Sequence, residues 1–210
     1  MNKCSRAWLL TLMFVLVTAV HAKKEDQQRY SFRVLYGIPT SNDLGEVLSG
    51  QLGDNYTDFH VYSVDAGYLL QASAFDLPLD IYAKSGLSYY DEGSYKEAYG
   101  VDIYIKAVWN FDFWQNRVRL GFGEGLSYTS RLLMAEYFDA KDKENNSTSK
   151  FLNYLDISLD FDVGRFLHQK PLYGLYIGFA IKHRSGVFGL INNVRHGGSN
   201  YNSFYIEKNF

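Results

Sequence analysis

The chain has 210 residues, a formal net charge of −2 and 17% aromatic residues, among them 18 Tyr and 15 Phe. That length bounds it to one or two domains, the charge balance offers no basic excess for nucleic acid, and aromatic richness with only 3 Pro excludes a disordered chain. A composition of 47% hydrophobic residues excludes a helical protein of several spans, each of which needs about 20 consecutive apolar residues.

The N-terminus reads as an address. Lys3 and Arg6 precede an apolar run from Ala7 to Val20, and Val20-His21-Ala22 fits the small-x-small pattern of a signal peptidase site. This predicts a secretory signal peptide over 1–22, cut after Ala22, and a single domain over 23–210. Loss of Lys3 and Arg6 takes the net charge from −2 to −4. The one Cys, Cys4, leaves with that segment. The exported chain then has no disulfide and no thiolate for zinc.

The rest alternates with period two, the signature of strands with two unlike faces. Weaker alternation covers Arg29–Gly37, Phe59–Gln71 and Leu77–Tyr90. In Tyr99–Phe111 the residues Tyr99, Val101, Ile103, Ile105, Ala107 and Trp109 share one parity, against Gly100, Asp102, Tyr104 and Lys106. A fifth segment is Arg117–Tyr128, and a short helix is expected within Thr129–Phe138. Leu152–Val163 sets Leu155, Ile157, Leu159 and Phe161 against Asp156, Ser158 and Asp160. Tyr173–Ser185 and Asn200–Phe210 complete eight strands.

Several strands reach ten residues or more, the length a tilted membrane-crossing strand needs (about 9–11). Apolar side chains on one parity and charges of both signs on the other suit a small barrel with an apolar outside and a filled polar lumen. The expected lumen set includes Arg29, Arg33, Asp65, Asp102, Lys106, Arg117, Arg119, Asp156, Asp160, Asp162, Lys182 and Arg184. Closure removes sheet edges, which lipid does not tolerate. The connections 38–58, 91–98, 129–151 and 186–199 are the longer ones and fall on one end. The fold expected is therefore all-β, an eight-stranded antiparallel transmembrane β-barrel of the bacterial outer membrane, with the long loops outside. Tyr89, Tyr90, Trp109 and Trp114 near strand ends fit its interfacial girdles. A lipocalin-like soluble barrel would place its apolar face inward instead. The aromatic Phe210, on an alternating last segment, is similar to the assembly signal of such barrels.

Chemistry is sought where parity breaks. The apolar row Leu175, Ile177, Phe179, Ile181 continues as His183 and Ser185. Their Cα atoms lie about 6.6 Å apart on one face, close enough for a modest lean to bring imidazole to hydroxyl. A Ser becomes a nucleophile when a neighbouring base takes its proton. The same spacing also fits polar residues where a strand leaves the bilayer. Glu124 shares the outward parity of Leu120 and Phe122, which is costly for a carboxylate facing lipid. His60, His168 and His196 lack metal-ligand spacing, and no cofactor motif stands out. The glycines of Gly121-Phe-Gly123-Glu-Gly125 read as a lumen-facing row.

His183-Arg184-Ser185, the glycine-rich loop after it and the closing segment Asn200-Tyr-Asn-Ser-Phe-Tyr205 resemble the C-terminal part of PagL-type outer-membrane lipid A deacylases, over about residues 174–210. That resemblance implies an eight-stranded barrel that hydrolyses the ester-linked acyl chain at position 3 of lipid A. It implies Ser185 as nucleophile and His183 as general base, with lipid A of the outer leaflet as partner. Two positions depart from the family pattern. Gly186 stands where the family has Asn, offering only a backbone N–H to an oxyanion. No acid stands about a dozen residues after Ser185, where the family has Glu. Asn200, of outward parity, is the residue expected to orient His183 by its amide oxygen. The missing acid also leaves room for a non-catalytic barrel, structural or adhesive, acting through loops 38–58 and 129–151.

Overall fold

Each of the eight alternating segments forms a strand in a computed structural model that describes residues 28–51, 53, 58–142, 147–195 and 198–210. The signal peptide expected over residues 1–22 and His196 lie outside the described residues. The strands are β1 (Tyr30–Thr40), β2 (Phe59–Gln71), β3 (Leu79–Glu92), β4 (Ala98–Phe113), β5 (Asn116–Thr129), β6 (Phe151–Asp162), β7 (Leu175–Ser185) and β8 (Ser199–Asn209). Every strand pairs antiparallel with its neighbour in sequence, and β8 closes on β1, giving a closed eight-stranded antiparallel barrel. The three longest connections, after β1, β5 and β7, lie together at one end, called the upper end here; the β3–β4 connection 93–97 shares that end but, against expectation, is shorter than 163–174 at the other. Two short helices belong to them, α1 (Leu44–Leu48) and α2 (Met134–Asp142). A third, α3 (Val163–Phe166), closes the lower end after β6.

Parity decides direction. Along β4 the burial alternates residue by residue, with Ile103 66% exposed and Asp102 fully buried. The outer wall is apolar: Leu87, Phe122, Leu159 and Phe204 are each more than half exposed. The lumen is polar and packed. Arg33 lies between Asp65, at 2.5 Å, and Asp156, at 2.6 Å. Lys106 Nζ reaches the other oxygen of Asp156 at 2.5 Å. Arg119 holds Asp160 with both ends of its fork, at 2.8 and 2.7 Å, and Glu207 at 3.0 Å. Lys182 bonds Asp102, and Lys84 bonds Glu207. Buried charges persist only when paired and hydrogen-bonded, and here each meets an opposite partner. The glycine row serves this packing: a Cβ at Gly121 would stand 2.5 Å from Lys106 Cε.

Several expectations need correction. Arg29 precedes β1 and is exposed, and Arg117 is half-buried near the lower rim, paired with Asp112 rather than with lumen charges. Alternation does not hold before the first residue of β1, where Arg29 stands, and at the rim, where Arg117 is the second residue of β5, the lumen is already open. Tyr90 belongs to the lumen, not to a girdle; it is fully buried and packs against Tyr201 with ring centroids 5.6 Å apart. Two adjacent tyrosines on a strand face opposite ways, so only Tyr89 can face outward. Val163 starts α3 instead of ending β6, because Asp162 accepts the N–H of Arg165 at 2.9 Å and caps the turn. The expected helix lies at Met134–Asp142, later than 129–138.

Candidate active site

The outward row of β7 is apolar through Ile181 and turns polar at His183 and Ser185, both half-buried near the upper rim. The register builds a horizontal row at this height. Glu124 on β5 faces Leu155 on β6, Leu155 faces His183, His183 faces Asn200 on β8, and Asn200 faces Thr40 on β1. One step higher, Ser185 faces Asn153 of β6.

The imidazole is held from the side. Nδ1 of His183 lies 2.7 Å from Oδ1 of Asn200. The Asn200 Nδ2 donates to the carbonyl of Asn42 at 2.8 Å, which fixes which end of the amide faces the ring. An amide oxygen only accepts, so Nδ1 carries the ring proton and Nε2 keeps its lone pair. Asn42 is tied in turn to the backbone carbonyl of Gln51 at 3.0 Å. The loop after β1 thus sets the orientation of a base on β7.

His183, Ser185, Gly186, Glu124 and Asn200 all line one cleft of about 550 Å³. Asp43, Asp139 and Arg195 border it as well. The residues expected from the sequence are therefore neighbours. Among the described residues no hydrogen bond joins His183 to Ser185, because the ring leans across to β8 rather than up its own strand. Nor does any carboxylate hydrogen-bond His183 among the described residues. Glu124 is exposed and separated from His183 by Leu155.

Gly186 has a local reason. A Cβ there would stand 2.0 Å from the carbonyl oxygen of Val194, where the following segment folds back. The Gly186 carbonyl accepts the N–H groups of Gly189 at 3.2 Å and Ile191 at 3.0 Å, tightening that turn. Any side chain at position 186 would push the segment off the cleft.

Behind the site, Arg184 points into the lumen between His183 and Ser185. Its Nη1 meets Glu136 of α2 at 2.6 Å. Glu136 also accepts from Ser199 Oγ at 3.0 Å and Thr148 Oγ1 at 3.3 Å. Burial pushes this carboxyl up to about 7, opposed by Arg184. Glu92 accepts the N–H of Met134 at 2.5 Å and a bond from Arg131 at 2.9 Å, so it anchors the start of α2. Glu136 and Glu92 carry no signal in the sequence, because their partners are remote in the chain. Asn153 is not among the residues expected from the sequence, although it breaks the outward row Leu155, Ile157, Leu159 as His183 breaks its own. Among the described residues no group of three His, Asp or Glu side chains converges as metal ligands.

No family model and no curated protein matches this chain. Among solved structures it is similar to the outer membrane enzyme PagL, at 14% identity, over 86% of this chain and 99% of that chain, with a TM-score of 0.57. It is also similar to Neisserial surface protein A, at 13% identity, 88% and 98% coverage and a TM-score of 0.48. The N-terminal β-barrel domain of Pseudomonas aeruginosa OprF follows at 10% identity, 87% and 98% coverage and a TM-score of 0.46. At such identities the likeness to PagL shows a shared barrel fold and nothing finer.

Proposed function

We propose that the chain is an esterase of the bacterial outer membrane that removes the ester-linked acyl chain at position 3 of lipid A. The observation that carries this reading is the outward-facing His183, with Nδ1 tied to Asn200, beside Ser185 in a cleft at the top of an apolar wall. A base and a hydroxyl placed there meet an acyl ester without drawing it out of the leaflet. The apolar wall, the polar filled lumen and the closed sheet support the membrane setting.

In the reaction, Ser185 Oγ attacks the ester carbonyl carbon while its proton passes to Nε2 of His183. The carbonyl π pair moves onto oxygen and forms the tetrahedral oxyanion. Collapse restores the carbonyl and breaks the bond to the sugar oxygen, which leaves with the proton from Nε2. Water repeats the sequence on the acyl-Ser185 ester, releasing a free fatty acid and restoring Ser185. Asn200 keeps the imidazole in the useful tautomer throughout, and the Gly186 N–H is the first candidate donor to the oxyanion.

Mass spectrometry of lipid A from cells with and without the protein tests this. One 3-linked acyl chain should be lost only when Ser185 is present. Full loss of that chain with Ser185→Ala overturns the mechanism, and unchanged lipid A with the folded native chain overturns the activity.

The amide at His183, in place of a carboxylate, favours a second reading. In it the barrel is non-catalytic and works through the loops after β1 and β5. That reading predicts unaltered lipid A and a phenotype that follows deletion within 41–58 or 130–150.

A further inference from the structure

Asn153 is a polar residue on an apolar row. It stands above Leu155, Ile157, Leu159 and Phe161 on the outward face of β6, directly opposite Ser185. Directly opposed residues of an antiparallel pair bring their Cβ atoms to about 4.5–5.5 Å on the same face. Asn153 is only 9% exposed and lines the same cleft as Ser185 and Gly186. Among the described residues its side-chain amide makes no hydrogen bond. Two other amides of the cleft do have tasks: Asn200 holds His183 and Asn42, and Asn42 holds Gln51. The amide nitrogen and oxygen of Asn153 open on the cleft rather than being sealed in the protein, so they are free to meet something bound there.

An acyl transfer at Ser185 creates that something. The carbonyl oxygen takes up negative charge within bonding distance of groups flanking Oγ. Gly186 can offer one backbone N–H, and one donor is a weak cradle for a full developing charge. We infer that Asn153 Nδ2 donates the second hydrogen bond to the oxyanion, which makes Asn153 a catalytic residue contributed by the strand next to the nucleophile. Attack at the carbonyl carbon moves the π pair to oxygen, where the Asn153 N–H meets it; collapse returns the pair and releases Asn153. No proton changes hands at Asn153. Its preference is for the tetrahedral state over the flat ester, so it acts on turnover more than on substrate binding. This inference rests on the esterase reading above.

The test compares the native chain with Ser185→Ala, Asn153→Ala and Asn153→Asp, purified in detergent and confirmed as folded barrels by heat-modifiable gel migration. The probes are a long-chain p-nitrophenyl ester and an alkyl phosphonate fluoride, whose adduct at Ser185 carries an oxygen in the oxyanion position. Asn153→Ala should lower kcat on the ester about 10²–10³-fold, the loss typical of one oxyanion donor, with KM changed by less than about threefold. Asn153→Asp, of nearly the same shape, should lose as much, since a carboxylate repels the oxyanion. Phosphonate labelling should slow in parallel in both variants. If the native chain is active through Ser185 while both folded Asn153 variants keep native kcat and labelling rate, the inference fails and the esterase reading stands. If the native chain neither turns over the ester nor labels at Ser185, the esterase reading fails and this inference falls with it.

Discussion

Asn200 accepts the Nδ1 proton of His183 at 2.7 Å and donates its own amide to the carbonyl of Asn42 at 2.8 Å. The orientation of the candidate base on β7 thus depends on β8 and on the loop that follows β1. An amide in this place fixes the tautomer, as a carboxylate would, but does not stabilise the imidazolium by charge.

Two substitutions separate those effects. Asn200→Ala should lower kcat on a long-chain ester about 10- to 100-fold, a part of the roughly 10²–10⁴-fold that a placed general base contributes. Asn200→Asp should keep the hydrogen bond and add a negative charge beside the ring. A carboxylate favours the charged imidazolium and raises the His183 pKa. The acid limb of the kcat/KM profile should therefore move to higher pH in Asn200→Asp. Identical pH profiles for the native chain and Asn200→Asp would show that His183 is not the titrating base.

The barrel was legible because alternation reports directly on which side of a wall a residue faces. Seven of the eight strands stand within two residues of their expected ends, β1 runs three residues past its own, and Phe59–Gln71 coincides with its expectation. Errors gathered where parity stops meaning anything. Arg29 and Arg117 sit beyond or at the rims, and Tyr90 was given to a girdle on residue type against its own parity. His183 and Ser185 were visible as polar breaks in an apolar row and Asn200 by its outward parity, and all three line one cleft. What the sequence could not supply is pairing across distance. Nothing near Arg184 in the chain announces Glu136, and nothing near Ser185 announces Asn153, because register between strands is a property of closure.

The lumen network makes a stability prediction independent of catalysis. Asp156 is fully buried and serves Arg33 at 2.6 Å and Lys106 at 2.5 Å. Asp156→Asn leaves two buried cations sharing one neutral oxygen. Removing one partner of such a set costs about 3–5 kcal/mol. The temperature at which folded, fast-migrating barrel converts to the slow unfolded band should fall markedly, while the native band, once formed, keeps its mobility. A conversion temperature equal to that of the native chain would mean that the network carries no net stability.

Gly186 makes a local one. A methyl group at this position would lie 2.0 Å from Val194 O, and that atom belongs to backbone that cannot rotate away. Gly186→Ala should displace the 186–195 segment from the cleft. Ester turnover should fall, while heat-modifiable migration stays native, since the three atoms nearest the added methyl all belong to Val194, outside the barrel strands. Native turnover in Gly186→Ala would show that the segment plays no part in shaping the cleft.

Glu136 predicts how the upper end responds to pH. It is fully buried on α2, with Arg184, Ser199 and Thr148 as partners and Glu92 as a like charge nearby. Burial raises its carboxyl from an ordinary value near 4.5 to about 7, while Arg184 pulls the other way. The docked helix therefore holds the proton more tightly than an undocked one. Docking is strongest below about pH 4.5 and loses stability as pH rises through about 7, with no further change above. Amide hydrogen exchange over Met134–Asp142, corrected for the intrinsic pH dependence of exchange, should show lower protection at pH 8 than at pH 5.5. Glu136→Gln has no proton to lose, so its protection should stay flat across that range. Equal corrected protection at both pH values in the native chain would remove Glu136 as the pH-sensitive anchor of α2. Because Arg184 lies between His183 and Ser185 on β7, a loosened α2 should also lower ester turnover at pH 8, and Glu136→Gln should lessen that fall.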